Sequence, residues 1–267
     1  MSERAEDLER IAAALAEACR VLRGFESGRV EAREKDEGGP VTAADLAVDA
    51  ALARMLPRAG EGWLSEETAD DRERVGHRRV WVVDPIDGTR EFVEGTPEWS
   101  VSVALVEDGQ AVAGGVALPA RALTIIGAAG LGLRANGEPV ATRRGVRLAE
   151  AEILASRSEL RRGAWQRYRD APFAVRPHGS IAAKLALVAA GLADATWTLE
   201  PRHEWDVAAG VALVLAGGGE VWLPAAGTLG FNRLPPLLPG IFAAPPDLAR
   251  EIRSWFAGLD ATSAARG

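Results

Sequence analysis

Five acids, Asp45, Glu66, Asp84, Asp87 and Asp206, each fall at or near the end of an expected element. Carboxylates of this kind, with backbone carbonyls, water and substrate phosphate, are the ligands magnesium takes in preference to sulfur or imidazole. The densest stretch is Trp81-Val82-Val83-Asp84-Pro85-Ile86-Asp87-Gly88-Thr89. Its apolar, β-branched start predicts a buried strand, and Pro85 and Gly88 forbid simple continuation. Two aspartates on such a turn can aim oxygens at one point, while the Gly88 and Thr89 amides stay available to an anion if a helix begins there. The combination points to a metal site beside a phosphate site. Taken singly, each acid has a plainer reading: Asp206 as a helix N-cap, Glu66 and Glu67 as a solvated pair, Asp84-Pro85 as a turn, Asp45 as an exposed helix residue. His77, His178 and His203 lie near charged or loop segments and read as surface or structural residues, too few for a zinc site.

The elements that must position these acids follow from the patterning. Leu8, Ile11, Leu15, Ala18 and Leu22 predict an amphipathic helix over 5–22, and the charged, glycine-containing stretch from Glu26 to Gly39 predicts an exposed hairpin or loop. A second helix opens at Val41 to Asp45, with Thr42 as N-cap and Pro57 as stop. Gly62 to Glu67 reads as a strand ending in acids, and the segment on to Arg79 as surface. Apolar runs over 100–106 and 111–118, joined by Glu107-Asp108-Gly109-Gln110, continue through 121–127 and 132–135. They predict an antiparallel sheet over about 80–140 packed against the first two helices. From Ile153 the pattern becomes α/β, with strands at 153–155, 195–199, 220–223 and 241–244 and helices at 181–190, 207–216 and 248–256. The chain thus divides into an α+β part, 1–147, carrying most of the acids, and an α/β part, 148–267, completing the site.

With 267 residues and 48% hydrophobic content, the sequence can bury a large core. A formal net charge of -7 argues against general binding to nucleic acid or to an acidic membrane surface. A phosphorylated ligand would need bound cations. The single Cys19 forms no internal disulfide and reads as a packing residue, which fits a reducing cytoplasm. No apolar run reaches the length of a membrane span, and nothing suggests export.

In order along nearly the whole chain, Lys35 to Asp45, Ser65-Glu66-Glu67, Asp84-Pro85-Ile86-Asp87-Gly88-Thr89 and Trp205-Asp206-Val207-Ala208-Ala209-Gly210 resemble the motifs of the inositol monophosphatase superfamily. These are magnesium-dependent, lithium-sensitive phosphatases. The resemblance implies a five-layer αβαβα sandwich of the inositol monophosphatase and fructose-1,6-bisphosphatase type, commonly a homodimer. It implies that Glu66, Asp84, the Ile86 carbonyl, Asp87 and Asp206 ligate two or three Mg²⁺ ions, with Asp45 behind them as a supporting acid. Asp45, Glu66 and Thr89 form the implied catalytic set, the Thr89–Asp45 pair orienting a metal-activated water for in-line attack without a phosphoenzyme. The implied substrate contacts are Gly88, Thr89, Asp206, Gly179, Ser180, Lys184 and the loop residue Lys35.

Within the superfamily, Leu64-Ser65-Glu66-Glu67, Thr89-Arg90-Glu91-Phe92, Glu204-Trp205-Asp206 and Phe231-Asn232-Arg233 are most similar to the 3′(2′),5′-bisphosphate nucleotidases. That implies hydrolysis of adenosine 3′,5′-bisphosphate to AMP and phosphate. Three departures concern selectivity: Lys184 is one residue further from Gly179-Ser180 than in that branch, a spacing closer to the inositol phosphatases, Ser102 replaces an asparagine, and Gly39 replaces a serine. For Gly179, Ser180 and Lys184 the plain reading is a loop glycine followed by an ordinary helix. The alternatives are an inositol-1-monophosphatase or broad sugar-phosphate phosphatase, and a partner-binding protein that keeps the fold. The complete acid set speaks against the last.

Overall fold

The computed structural model describes residues 2–34, 39–225 and 227–264, with side chains as far as 259. The first helix, α1 (Glu3–Leu22), is capped by Ser2, whose hydroxyl accepts the Ala5 N–H at 3.3 Å. It buries Ile11, Leu15, Ala18 and Leu22, the stripe its spacing predicts. A short antiparallel ribbon follows, β1 (Ala32–Glu34) and β2 (Pro40–Thr42), on the stretch expected to be a hairpin or loop. Lys35 lies outside the described residues. Thr42 then caps α2 (Ala43–Met55), which stops just before Pro57.

The first sheet runs in sequence order: β3 (Glu61–Ser65), β4 (Arg79–Asp87), β5 (Ser100–Glu107), β6 (Gln110–Leu118), β7 (Leu123–Ala128), β8 (Gly132–Ala135) and β9 (Glu138–Val140). All neighbours are antiparallel except β3 and β4. Over 79–140 the sheet is antiparallel as expected, and β3, outside that span, adds to it in parallel because 66–78 forms a crossover. Nor is that crossover all surface: Arg74 on it is 1% exposed. Every residue of β5 is buried, so this sheet is covered on both faces, not only by α1 and α2.

The pairing of β4 with β5 explains how two aspartates three residues apart come to face the same way. Asp84 sits opposite Ser102 and Asp87 opposite Ser100, with the register shifting between them. Ser100 and Ser102 are two apart and share a face, so β4 carries one extra residue, a bulge at Pro85–Ile86. Proline has no N–H to give a ladder, which makes this a natural place for it. Without the bulge, Asp84 and Asp87 would point to opposite faces. The short helix α3 (Thr89–Val93) begins immediately after.

The second half supplies β10 (Glu152–Ser156), α4 (Arg157–Arg161), β11 (Ala174–His178), α5 (Ile181–Ala189), β12 (Ala195–Thr198), β13 (Arg202–His203) and α6 (Glu204–Ala216). Then come β14 (Glu220–Trp222), β15 (Leu237–Leu238), β16 (Ile241–Ala244) and α7 (Pro246–Ala264). The second sheet has the order β11-β10-β12-β16-β14, with β11, β10 and β12 parallel and the last two pairings antiparallel, while β13 and β15 form a separate pair. Strand β11 escapes the apolar pattern because it is an edge strand, mostly exposed and carrying Pro177.

Helices α5 and α6 lie between the two sheets. Val207 to Val214 on α6 are buried all round, the signature of an interior helix. Close approach depends on glycine: a Cβ on Gly114 of β6 would stand 2.7 Å from the Ala209 carbonyl oxygen, and one on Gly210 would stand 2.4 Å from Leu185 Cβ. The layers are therefore α1/α2, the seven-stranded sheet, α5/α6, the five-stranded sheet and α7. One core joins α5 and α6 to both sheets, a second lies under α1 and α2, and a third, rich in aromatics such as Trp165, Tyr168, Trp197 and Phe242, lies under α7. Cys19 packs at the edge of the second core.

Candidate active site

Asp84 leaves the bulged end of β4 as a buried carboxylate, and neither of its oxygens has a hydrogen-bond partner. Glu66, just past β3, and Asp206, in the first turn of α6, bring oxygens to it, so that one ligand atom from each of the three lies within 4.8 Å of the others. The parallel pairing of β3 with β4 is what puts Glu66 and Asp84 at one edge. Burial, followed by the charges of Glu66, Asp87 and Asp206, holds the Asp84 proton well above the usual carboxylate range. Burial, followed by Asp87 and Glu66, does the same to Asp206. Acidic neighbours that raise the affinity of Asp84 and Asp206 for protons favour a cation at the same place.

Asp87 is held from the other half of the chain. Its Oδ2 accepts the Ser180 hydroxyl at 2.5 Å and the Ala182 N–H at 2.6 Å, both at the start of α5. Burial raises its pKa to about 6, against the pull of those hydrogen bonds and of Lys184. Ser180 therefore does not face the cleft as a substrate contact: it is fully buried, N-caps α5 through the Ala183 N–H at 2.8 Å, and acts on the site through Asp87. Gly179 lines the cleft, but its N–H is already given to Glu98 Oε2 at 3.0 Å. Its small size is what packing requires, since a Cβ there would meet Glu91 Cγ at 2.4 Å.

Asp206 is not an N-cap. His203 occupies that position, and Asp206 sits three residues on, accepting the His203 N–H at 3.1 Å. Asp45 occupies the same place in α2 and is buried, not exposed: its Oδ2 accepts the Thr42 N–H at 2.8 Å and the Thr42 hydroxyl at 2.6 Å. Its Oδ1 faces the Thr89 hydroxyl at 3.1 Å, and that hydroxyl also lies 3.0 Å from the Ile86 carbonyl oxygen. One proton cannot serve both acceptors, so the orientation of Thr89 is a choice between them. Burial raises the Asp45 pKa, with the Thr42 and Thr89 hydrogen bonds opposing.

A cleft of about 220 Å³ opens over these groups, lined by Glu66, Asp84, Ile86, Asp87, Gly88, Thr89 and Asp206 among others. Gly88 has φ +93°, and a Cβ there would also press on Trp99 Cα at 3.3 Å, so glycine is required at this turn.

These motifs extend through the chain as a family. The model of the inositol monophosphatase family matches residues 3–254. The chain belongs to that family. A 3′-phosphoadenosine 5′-phosphate phosphatase of Mycobacterium leprae (strain TN) is 34% identical over 217 residues, covering 76% of this chain and 77% of the relative. A fructose-1,6-bisphosphatase/inositol-1-monophosphatase of Thermotoga maritima is 32% identical over 199 residues, covering 73% and 76%. Among solved structures, the extragenic suppressor protein suhB of Bartonella henselae superposes with a TM-score of 0.76 at 26% identity, covering 94% of this chain and 96% of that one. Relatives of nearly equal identity carry different substrate names, so kinship fixes a phosphatase and leaves the ester open.

In this member of the inositol monophosphatase family, the cleft is also lined by Ser156, Ser158, Arg161 and Arg202, which the sequence reading did not name, and by Lys184, which it did, with Arg90 among the lining. The signal available was the end of β10: loops following parallel strands are where open α/β sheets place ligands, and Ser156-Arg157-Ser158 follows one. His178 is buried at the end of β11, and burial lowers its pKa to about 4, so it is neutral near pH 7. Arg74 is also structural. It donates to Asn232 Oδ1 at 2.7 Å and to the Arg233 carbonyl at 2.9 Å, while Glu204 accepts the N–H groups of Asn232 and Arg233. This clamp fixes the start of α6, and with it Asp206.

Proposed function

We propose that the chain is a Mg²⁺-dependent phosphomonoesterase that removes the 3′-phosphate of adenosine 3′,5′-bisphosphate to give AMP. The observation that carries the metal reading is Asp84, buried with two unpartnered oxygens beside Glu66 and Asp206. An uncompensated buried carboxylate costs several kcal/mol, and an all-oxygen donor set fits Mg²⁺. Glu66, Asp84, the Ile86 carbonyl, Asp87 and Asp206 would hold the ions. Bound Mg²⁺ supplies a lowered pKa for water, from roughly 16 toward neutrality, and compensates charge on the phosphate and the departing oxygen.

The chain's own residues do the positioning. Asp45, fixed by Thr42, accepts the Thr89 hydroxyl hydrogen bond, which leaves the Thr89 oxygen free to accept a hydrogen bond from the attacking water and aim it. The Gly88 and Thr89 amides then face the phosphate oxygens. Ser180 and Ala182 keep Asp87 in place, so the start of α5 and the end of β4 act as one unit.

The nucleotide choice is supported by Thr89-Arg90-Glu91-Phe92, by the basic residues lining the cleft and by the Mycobacterium leprae relative. A second reading, an inositol or sugar phosphatase, is favoured by the Lys184 spacing and the Thermotoga maritima relative. Phosphate release from adenosine 3′,5′-bisphosphate, inositol 1-phosphate and fructose 1,6-bisphosphate, measured side by side, orders them. A higher kcat/KM on inositol 1-phosphate overturns the nucleotidase choice. Lithium inhibition, a homodimer and a cytoplasmic location belong to the same proposal. Light scattering of the purified protein tests the dimer.

A further inference from the structure

Helix α2 carries two buried acids, Asp45 and Asp49, one turn apart and therefore on one face. The proposed mechanism uses Asp45 alone. Asp49 is 9% exposed and lies between Val48 and Leu52, both fully buried in the core under α1 and α2. A carboxylate so placed keeps its charge only with partners. They are two hydroxyls: Asp49 Oδ1 accepts the Ser65 hydroxyl at 2.5 Å, and Oδ2 accepts the Thr68 hydroxyl at 2.7 Å. Ser65 and Thr68 bracket Glu66.

The direction of the hydrogen bonds makes this bracket specific. Ser65 Oγ also accepts the Glu67 N–H at 3.3 Å, so Asp49, Ser65 and Glu67 form a chain that passes across Glu66. Thr68 Oγ1 likewise accepts the Trp63 Nε1–H at 3.4 Å. A hydroxyl that accepts one bond and gives its single proton to a carboxylate has its rotation fixed. On the strand side, the Glu66 N–H gives to the Val83 carbonyl at 3.3 Å, which ties the residue to β4 beside Asp84. Glu66 is thus held between α2 and β4, while Asp45, one turn earlier on the same helix, faces the Thr89 hydroxyl. One helix sets both the Glu66 turn and the Asp45–Thr89 pair.

We propose that Asp49 is a positioning residue for metal binding: through Ser65 and Thr68 it fixes the backbone at Glu66, and so the distance of the Glu66 carboxylate from Asp84 and Asp206. This rests on the metal reading of the acid cluster. Asp49 is not among the residues lining the cleft, so it acts only through the turn it grips. Groups that orient a metal ligand from behind change metal affinity by about 10–100-fold when they are removed.

Calorimetric titration of EDTA-stripped protein with MgCl₂ alone, without substrate, tests it in wild type, Asp49→Ala, Ser65→Ala, Asp49→Asn and Val48→Ala. Asp49→Ala and Ser65→Ala are expected to weaken Mg²⁺ binding about tenfold, and the Mg²⁺ concentration for half-maximal phosphate release moves by the same factor. Asp49→Asn keeps an acceptor for Ser65 and is expected to bind Mg²⁺ as wild type does, which separates positioning from the loss of a negative charge. Val48→Ala removes buried core from the same helix and is expected to lower the Tm with Mg²⁺ affinity unchanged. Unchanged affinity in Ser65→Ala, which keeps Asp49 paired with Thr68, overturns the proposal and leaves the metal reading standing. So does a loss in Asp49→Asn as large as in Asp49→Ala, or an equal loss in Val48→Ala. A wild type that binds no Mg²⁺ overturns both.

Discussion

At the residue scale, the site combines groups whose stability and function pull in opposite directions. Asp84 is ionised only against burial and four neighbouring carboxylates, Glu66, Asp87, Asp206 and Asp45. In metal-free protein at neutral pH, Asp84→Asn is therefore expected to raise the Tm, while in Mg²⁺ it lowers kcat by at least about a hundredfold. Thermal melts in EDTA paired with phosphate release check both halves. A Tm that falls in EDTA would mean that Asp84 has a partner after all. His178 sets a pH trend of its own. Its folded pKa, about 4, lies below the ordinary value near 6.5, so between these values the unfolded chain binds more protons. Stability from this group is present above about pH 6.5 and is lost as pH falls toward 4. His178→Gln is expected to flatten that part of the Tm–pH curve, and an unchanged slope would contradict the burial of a neutral imidazole. The clustered acids Glu66, Asp84 and Asp87 were legible in the sequence because strand ends, proline and glycine mark them. Ser180 was misread as facing substrate because a serine before a helix has the same signature whether it caps the helix, holds a neighbouring acid or binds a ligand. The structure gives it the first two tasks.

At the element scale, the site is held by three junctions: the bulge in β4, the cap of α5 on Asp87 and the clamp on the first turn of α6. The clamp turns on Arg74, whose guanidinium is fully buried against Asp70, Asn232 and the Arg233 carbonyl. Arg74→Met removes the donors to Asn232 Oδ1 and the Arg233 carbonyl and so loosens the 231–233 segment. A lost hydrogen bond to a charged group costs about 1.5–3 kcal/mol. We expect a lower denaturant midpoint together with reduced kcat, because Asp206 rides on the same turn. Loss of stability with full activity would show that α6 keeps its place without the clamp. None of this was readable from the surface-like composition of 66–79, since a charged residue reads as solvated until its partners, more than a hundred residues away, are known. Strand β11 was missed for a related reason: an edge strand with polar residues and a proline lacks the alternation that marks strands. Helices α1, α2, α5 and α6 were legible from their apolar patterns, and only α2 also from its cap, Thr42, since the cap read for α6 fell on Asp206 and not on His203.

At the scale of the whole molecule, the sequence divides near Arg147 but the central core does not. Helices α5 and α6, from the second half, cover the inner face of the first half's sheet, and residues of both belong to one cluster. A single cooperative transition is expected in calorimetry, with Gly210→Ala lowering its midpoint by wedging a methyl against Leu185, at a cost of about 1–3 kcal/mol. Two separable transitions would contradict the shared core. The arrangement also explains how the proposed metal ligands come from both halves: Glu66, Asp84 and Asp87 arrive on one sheet and Asp206 on the helix packed against it. The order of the layers followed from the family resemblance more than from periodicity, which packed the first sheet against α1 and α2 and did not address its other face. The most direct test of the account is a Mg²⁺ titration of EDTA-stripped protein, wild type and Asp84→Asn, following phosphate release from adenosine 3′,5′-bisphosphate, inositol 1-phosphate and fructose 1,6-bisphosphate. The account predicts no turnover without Mg²⁺, recovery in wild type and none in the variant. Turnover without metal, or full recovery in Asp84→Asn, would contradict it.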